Sequence, residues 1–200
     1  MAFEVEIKAH VRDPEALTAL LEGRYGRGQA FHKSDAYFIE REPAAGVAGL
    51  SGAARSLHKN DDPAFRLRSE RCGGKSVCLV TAKKKSMQGG VEVNEEIEFS
   101  IEDPRAFRAF TAMLGYGVFL EKGKAGHVWE IETHVKIELA EVNGLGHFIE
   151  IEELTEDESA VPGARARVQE LMEGFGFTEQ DIEPRYYTEM LLEQGVGGEV

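Results

Sequence analysis

The sequence predicts an α+β domain built on one large, curved antiparallel sheet. Three observations lead there. Short segments alternate strictly between charged and apolar residues, beginning with Phe3-Glu4-Val5-Glu6-Ile7-Lys8, and in a strand residues i and i+2 share a face. Most of these segments follow one another with no helical period between them, which favours antiparallel pairing. The order strand, helix, strands is also given twice.

After the first strand, Asp13 is placed to cap a helix and Pro14 suits its first position, with Ala16, Leu17, Leu20 and Leu21 as the apolar face and Gly23 and Gly26 at its end. A second strand is predicted over Gln29–Arg41. From Glu42 to Pro63 the chain is rich in Gly, Ala, Pro and Ser without a period, which predicts a long flexible loop. Strands are expected over Ala64–Glu70, over Ser76–Lys83, which Lys83 ends, and over Val91–Ser100. Asp103-Pro104-Arg105-Ala106-Phe107 then echoes Asp13-Pro14-Glu15-Ala16-Leu17, again after a strand and before an amphipathic helix. Three further strands are expected near Val118–Ile131, His134–Val142 and His147–Leu154, and helices over Gly163–Glu173 and Pro184–Leu192. The expectation is a single domain over 1–200 with two related halves, about 1–100 and 101–200, and the loop at 42–63.

A length of 200 residues suits one domain with a sizeable core. The net charge of −13 opposes nucleic-acid backbones and anionic membranes, so neither is expected as a partner. No apolar run is long enough to span a bilayer, and Met1-Ala2-Phe3-Glu4 does not open a secretory leader, so a cytoplasmic protein is expected. Cys72 and Cys78 have no histidine or cysteine companions that would make a zinc site, and read as structural thiols.

The charged faces carry the chemistry. Glu4, Glu6 and Lys8 share one; Arg66 and Arg68 another; then come Glu96 with Glu98, Lys122 with Lys124, and Glu150 with Glu152, while Lys83 closes its own strand. Alternation alone is what any half-exposed sheet shows. Here, however, the pairs are mostly like-charged within a strand, whereas a solvated face mixes signs to avoid repulsion. Acidic and basic pairs also alternate along the chain, and a closed sheet would bring them to one lumen. Carboxylates on rigid strands suit a hard divalent cation such as Mg²⁺ or Mn²⁺, and Lys and Arg suit phosphate oxygens. A metal with a polyphosphate explains both signs. No convincing catalytic histidine or Ser/His/Asp grouping stands out.

Six motifs in order resemble the CYTH superfamily, the triphosphate tunnel metalloenzymes that include class IV adenylate cyclases and thiamine triphosphatases. They are Glu4-x-Glu6-x-Lys8, Arg66-x-Arg68 with Thr81-x-Lys83, Glu96-x-Glu98, Glu121-Lys122-x-Lys124, the run from Val142 through Gly144-Leu145-Gly146 to Glu150-x-Glu152, and Glu183-Pro184-Arg185-x-Tyr187. Asp35-x-Tyr37-Phe38 resembles the family's second strand, and the C-terminal motif resembles the bacterial class IV cyclase branch. The resemblance implies an eight-stranded antiparallel barrel or tunnel with a charged lumen and helices outside. It implies Glu4, Glu6, Glu150 and Glu152 as ligands of Mg²⁺ or Mn²⁺, and Lys8, Arg66, Arg68, Lys83, Lys122, Lys124 and Arg185 as triphosphate-binding residues. Glu6, Lys8 and Lys122 are the catalytic candidates, and Glu96 and Glu98 face the lumen, binding metal or orienting the bases.

The implied reaction is conversion of ATP to cyclic AMP and pyrophosphate. The alternatives are hydrolysis of an inorganic, thiamine-linked or nucleotide triphosphate, or a non-catalytic triphosphate-binding module. Related cyclases are often dimers, so a homodimer is expected. Three positions depart from the pattern: Ala140 stands where relatives carry Asp, with Glu138 on the same face as its substitute; Asn94 stands where relatives often carry Arg; and Lys124 replaces an Arg.

Overall fold

The computed structural model describes residues 2–41 and 63–196. The predicted loop Glu42–Pro63 lies outside the described residues except for Pro63. The elements are β1 (Ala2–His10), α1 (Pro14–Tyr25), β2 (Gln29–Glu40), β3 (Phe65–Cys72), β4 (Lys75–Gln88), β5 (Val91–Ile101), α2 (Pro104–Met113), β6 (Tyr116–Glu132), β7 (Val135–Val142), β8 (Gly146–Thr155), α3 (Val161–Gly174) and α4 (Tyr187–Glu193).

The eight strands close into an antiparallel barrel in the order β1-β5-β4-β3-β2-β6-β7-β8. Closure pairs every strand on both sides and so removes the exposed edges of an open sheet. The expected strands are all present, with one marked difference. β4 continues past Lys83 to Gln88, because Lys84–Gln88 pair with Val91–Glu95 across a turn at Gly89 and Gly90, whose φ values of 61° and 80° suit glycine.

Apolar strand faces point outward, and the main core forms between barrel and helices. Val5, Ile7, Ile137, Leu139, Ile149 and Ile151 pack with Leu17 and Leu21 of α1 and with Val161, Val168 and Met172 of α3. Each such side chain, fully buried, stabilises the fold by about 1.5–3 kcal/mol. Asp13 caps α1 through the Ala16 amide at 2.9 Å, and Asp103 caps α2 through the amides of Arg105 and Ala106. The apolar face of α1 is narrower than predicted: Leu17 and Leu21 are buried, whereas Leu20 is exposed, and the helix runs through Gly23 to end at Gly26. Under α2 a second cluster joins Phe38, Leu67 and Val80 with Phe65 and Phe107.

The last helix begins at Tyr187 and not at Pro184. Residues before it extend along the end of β1, where the Glu183 amide donates to the Lys8 carbonyl at 2.9 Å and Ile182 bridges Ala9. This path sets α4 against one end of the barrel, with Tyr187 edge-on to Phe148 at 5.0 Å between ring centroids.

Candidate active site

Inside the barrel the charges sort by strand. β5, β1, β8 and β7 are consecutive around the wall and carry Glu92, Glu96, Glu98, Glu4, Glu6, Glu150, Glu152 and Glu138. β4, β3, β2 and β6 make the opposite wall and carry Lys83, Lys85, Arg66, Arg68, Lys33, Lys122 and Lys124. Some charges cross over: Lys8 and Lys136 lie on the acidic half-wall, and Asp35 and Glu70 on the basic one. Residues of both walls, including Glu4, Glu6, Arg66, Lys83, Lys124 and Glu152, line one continuous pocket.

On the basic half-wall, Asp35 is the anchor. It is fully buried and accepts a forked pair of hydrogen bonds from Arg68, at 2.7 and 2.9 Å. Lys122 stands 3.2 Å away and Arg66 3.9 Å. Burial would raise the Asp35 carboxyl pKa, but Arg68, Lys122 and Arg66 together hold it well below the usual range. Arg66 also donates to the Thr81 hydroxyl at 3.1 Å, and Thr81 in turn to Glu98 at 2.8 Å.

Lysines bridge the two half-walls. Lys83 pairs with Glu4 and, at 2.5 Å, with Glu96. Lys124 pairs with Glu150 and, at 2.6 Å, with Glu138, which also takes Lys33. Lys8 is 2% exposed and is bound to Glu92, an ion pair closed within the acidic wall itself. Tyr187 enters from α4: its hydroxyl donates to Glu150, and its ring lies 4.8 Å from the Lys122 ammonium.

Glu4, Glu6 and Glu152 differ from the other carboxylates in that their oxygens meet one another. One from each lies within 4.8 Å of the others. Burial raises the Glu6 pKa well above the ordinary value, and the charges of Glu92, Glu150 and Glu4 raise it further. Glu152 is pushed up to about 7 by burial and by Glu4. Burial acts on Glu4 as well, yet Lys83 outweighs it and holds the group at about 2. Three carboxyl oxygens converging, two of them on groups that burial and neighbouring carboxylates keep from ionising at their ordinary pH, fit a hard divalent cation.

The structure brings Glu4, Glu6 and Glu152 together and leaves Glu150 apart, engaged by Lys124 and Tyr187. Lys8, Arg66, Arg68, Lys83, Lys122 and Lys124 all face the lumen, as do Glu96, Glu138 and, nearer solvent, Glu98. Arg185 does not. Its side chain is half exposed and bonded to Glu183 and Glu193 outside the pocket. Glu138 sits between Lys33 and Lys124, not in the triad, so it does not take the place expected of a substitute at Ala140. Ala140 itself lies against Gly126, where β6 and β7 approach so closely that a Cβ on residue 126 would fall 2.1 Å from the Leu139 carbonyl oxygen. Sequence reasoning passed over Lys33, Asp35, Glu92 and Asn94 as site residues; period-two parity with Tyr37 on β2 and with Glu96 on β5 is the signal that reaches them.

Among the described residues no helix is long and apolar enough to cross a membrane. The sequence model of the CYTH domain matches residues 2–187. A solved structure of a Pyrococcus horikoshii protein is similar at 26% identity and a TM-score of 0.76, covering 96% of this chain and 99% of its own. A provisionally assigned adenylate cyclase of Vibrio parahaemolyticus is similar at 20% identity and a TM-score of 0.69, over 95% and 98% of the two chains. A provisionally assigned adenylyl cyclase of Hippeastrum, described with a dominant triphosphatase activity, is similar at 15% identity and a TM-score of 0.58, over 100% and 98%. Among curated proteins none matches the chain.

Proposed function

The chain belongs to the CYTH domain family, and we propose that it is a metal-dependent adenylate cyclase, converting ATP to cyclic AMP and pyrophosphate inside the barrel. The observation that carries this reading is the polarised lumen, with a carboxylate triad facing a wall of lysine and arginine. Glu4, Glu6 and Glu152 would hold Mg²⁺ or Mn²⁺, with Glu150 close by on the same strand as Glu152. When bound there, a divalent cation supplies Lewis acidity and neutralises triphosphate oxygens.

The remaining work falls to the chain's own side chains. Arg66, Lys83, Lys122 and Lys124 bind the triphosphate, and Arg68 keeps Asp35 in place beneath them. The ribose 3′-oxygen bonds to the α-phosphorus as that phosphorus loses its bridging oxygen to the departing pyrophosphate, and the hydroxyl proton passes to a carboxylate of the acidic wall. Lysine and arginine charge then stabilises the leaving group where negative charge accumulates. Glu6, Lys8 and Lys122 are the residues proposed to matter most for turnover. The motif ending in Tyr187 supports the cyclase reading, since Tyr187 reaches the lumen and meets Glu150 and Lys122.

The test is product analysis. Purified protein is incubated with ATP, and separately with inorganic triphosphate, with Mg²⁺, Mn²⁺ or chelator. Metal-dependent cyclic AMP and pyrophosphate, abolished by Glu6→Ala, is the expected result. Orthophosphate without cyclic AMP would replace this reading with triphosphate hydrolysis, and tight binding without product would replace it with a binding module.

A further inference from the structure

Asn94 stands among the carboxylates of β5, with Glu92 and Glu96 on its own strand face and Glu4 directly across the β1–β5 ladder. It is fully buried, at 0% exposure. Its Nδ2 donates to Glu4 Oε2 at 3.3 Å and to Glu92 Oε2 at 3.4 Å, which uses both amide protons. Its Oδ1 is buried too, and among the described residues nothing donates to it. A buried acceptor left without a partner costs about 1–3 kcal/mol.

The chemistry of the missing partner can be narrowed. A triphosphate offers this oxygen mostly further acceptors, which would be repelled. A divalent cation, or a water molecule carried on one, offers what a carbonyl oxygen accepts, and Mg²⁺ in particular keeps several waters when protein-bound. The position agrees with this. Asn94 shares Glu4 Oε2 with Lys83, and Glu4 is itself one of the three carboxylates that converge with Glu6 and Glu152.

We infer that Asn94 is a member of the cation site: its amide N–H groups fix the Glu4 carboxylate, and its Oδ1 receives the divalent ion or a water bound to it. The inference rests on the reading of Glu4, Glu6 and Glu152 as that site. It adds a neutral oxygen donor from a third strand, β5, to a triad drawn from β1 and β8, and it gives the orphaned carbonyl a role.

Titration calorimetry tests it, using chelator-treated protein and MnCl₂ or MgCl₂ alone, with no nucleotide. Asn94→Leu keeps the branching at Cγ and removes both functions, and its affinity for Mn²⁺ should fall about tenfold or more. Asn94→Asp restores an oxygen without the amide protons and should bind at least as tightly as the wild type. Circular dichroism confirms that each variant is folded, and Asn94→Asp carries the test if Asn94→Leu is not. Wild-type affinity in folded Asn94→Leu, with binding lost in Glu6→Gln, overturns this inference and leaves the triad standing. Equal weakening in Asn94→Asp and Asn94→Leu overturns the role of Oδ1. No Mn²⁺ or Mg²⁺ binding by the wild type removes both the inference and the reading beneath it.

Discussion

The acidic and basic half-walls arise from the same alternation of strand residues, yet they are satisfied differently. On the basic side, Lys33, Arg66, Arg68, Lys83, Lys122 and Lys124 all have carboxylate partners. On the acidic side, Glu4, Glu96, Glu138 and Glu150 are consumed by those pairs and Glu92 by Lys8, while among the described residues Glu6 and Glu152 make no direct ion pair and face Glu4. The basic wall is a finished structure and the acidic wall is an unfinished one. Buried ion pairs add little net stability over apolar packing, but breaking one is costly. Neutralising a carboxylate should therefore destabilise the finished wall and relieve the unfinished one.

The largest expected effect lies at the anchor. Asp35→Ala leaves Arg68 and Lys122 buried without compensation and should cost about 3–5 kcal/mol, a fall in Tm on the order of 10 °C. Thermal unfolding reads this directly, and a loss under about 1 kcal/mol would break the comparison on its basic side.

Next comes pH. The Glu152 carboxyl rises from an ordinary 4.5 to about 7 in the fold. Its contribution is therefore fully present below about 4.5 and lost as pH rises through 7, up to about 3 kcal/mol. Urea unfolding of metal-free protein should show this loss between pH 5 and 8, and the loss should be smaller in Glu152→Gln, where Glu6, also raised by burial, still contributes. Glu4, held at about 2, titrates outside that window and does not mask it. A wild type and Glu152→Gln with the same pH dependence would show that the triad carries no excess charge.

A smaller effect of opposite sign is expected for Glu6→Gln. It removes one of the repelling carboxylates and should raise the Tm of the metal-free protein by a few degrees while weakening divalent-cation binding. A variant that loses both would mean that Glu6 is tied into the wall after all. The smallest expected effect is at Arg185, where Arg185→Ala should leave affinity for inorganic triphosphate unchanged because the side chain engages Glu183 and Glu193 outside the lumen. Lys124→Met, by contrast, should weaken that affinity about tenfold, the loss of one charge-assisted contact. Binding titrations of the two variants side by side would reveal whether α4 contributes charge to the site.

Much of this was legible in single strands. Glu4-x-Glu6-x-Lys8 and Glu150-x-Glu152 declare their charged faces within a few residues, and the barrel turns those faces inward. Lys33-x-Asp35 was harder, because a mixed-sign pair looks like any solvated strand. Glu92 and Asn94 were harder still: the first lies just after a glycine turn, and the second breaks the run of like charges on β5. Glu183-Pro184-Arg185 read as the start of a helix, but hydrogen bonding to β1 holds it extended and turns Arg185 away.

The sequence by itself determined which residues share a strand face, because a two-residue period is a local property of an extended backbone. It also determined the helix starts at Asp13 and Asp103, where the capping side chain and its amides lie within three residues. Only the tertiary structure decided that the charged faces meet in one lumen, and how they sort there. Along the chain the acidic strands β1, β5, β7 and β8 are interrupted by the basic strands β2, β3, β4 and β6, but the closed order β1-β5-β4-β3-β2-β6-β7-β8 gathers them into opposite walls. Partners such as Lys8 and Glu92, 84 residues apart, are chosen by barrel closure, and no local period encodes that choice.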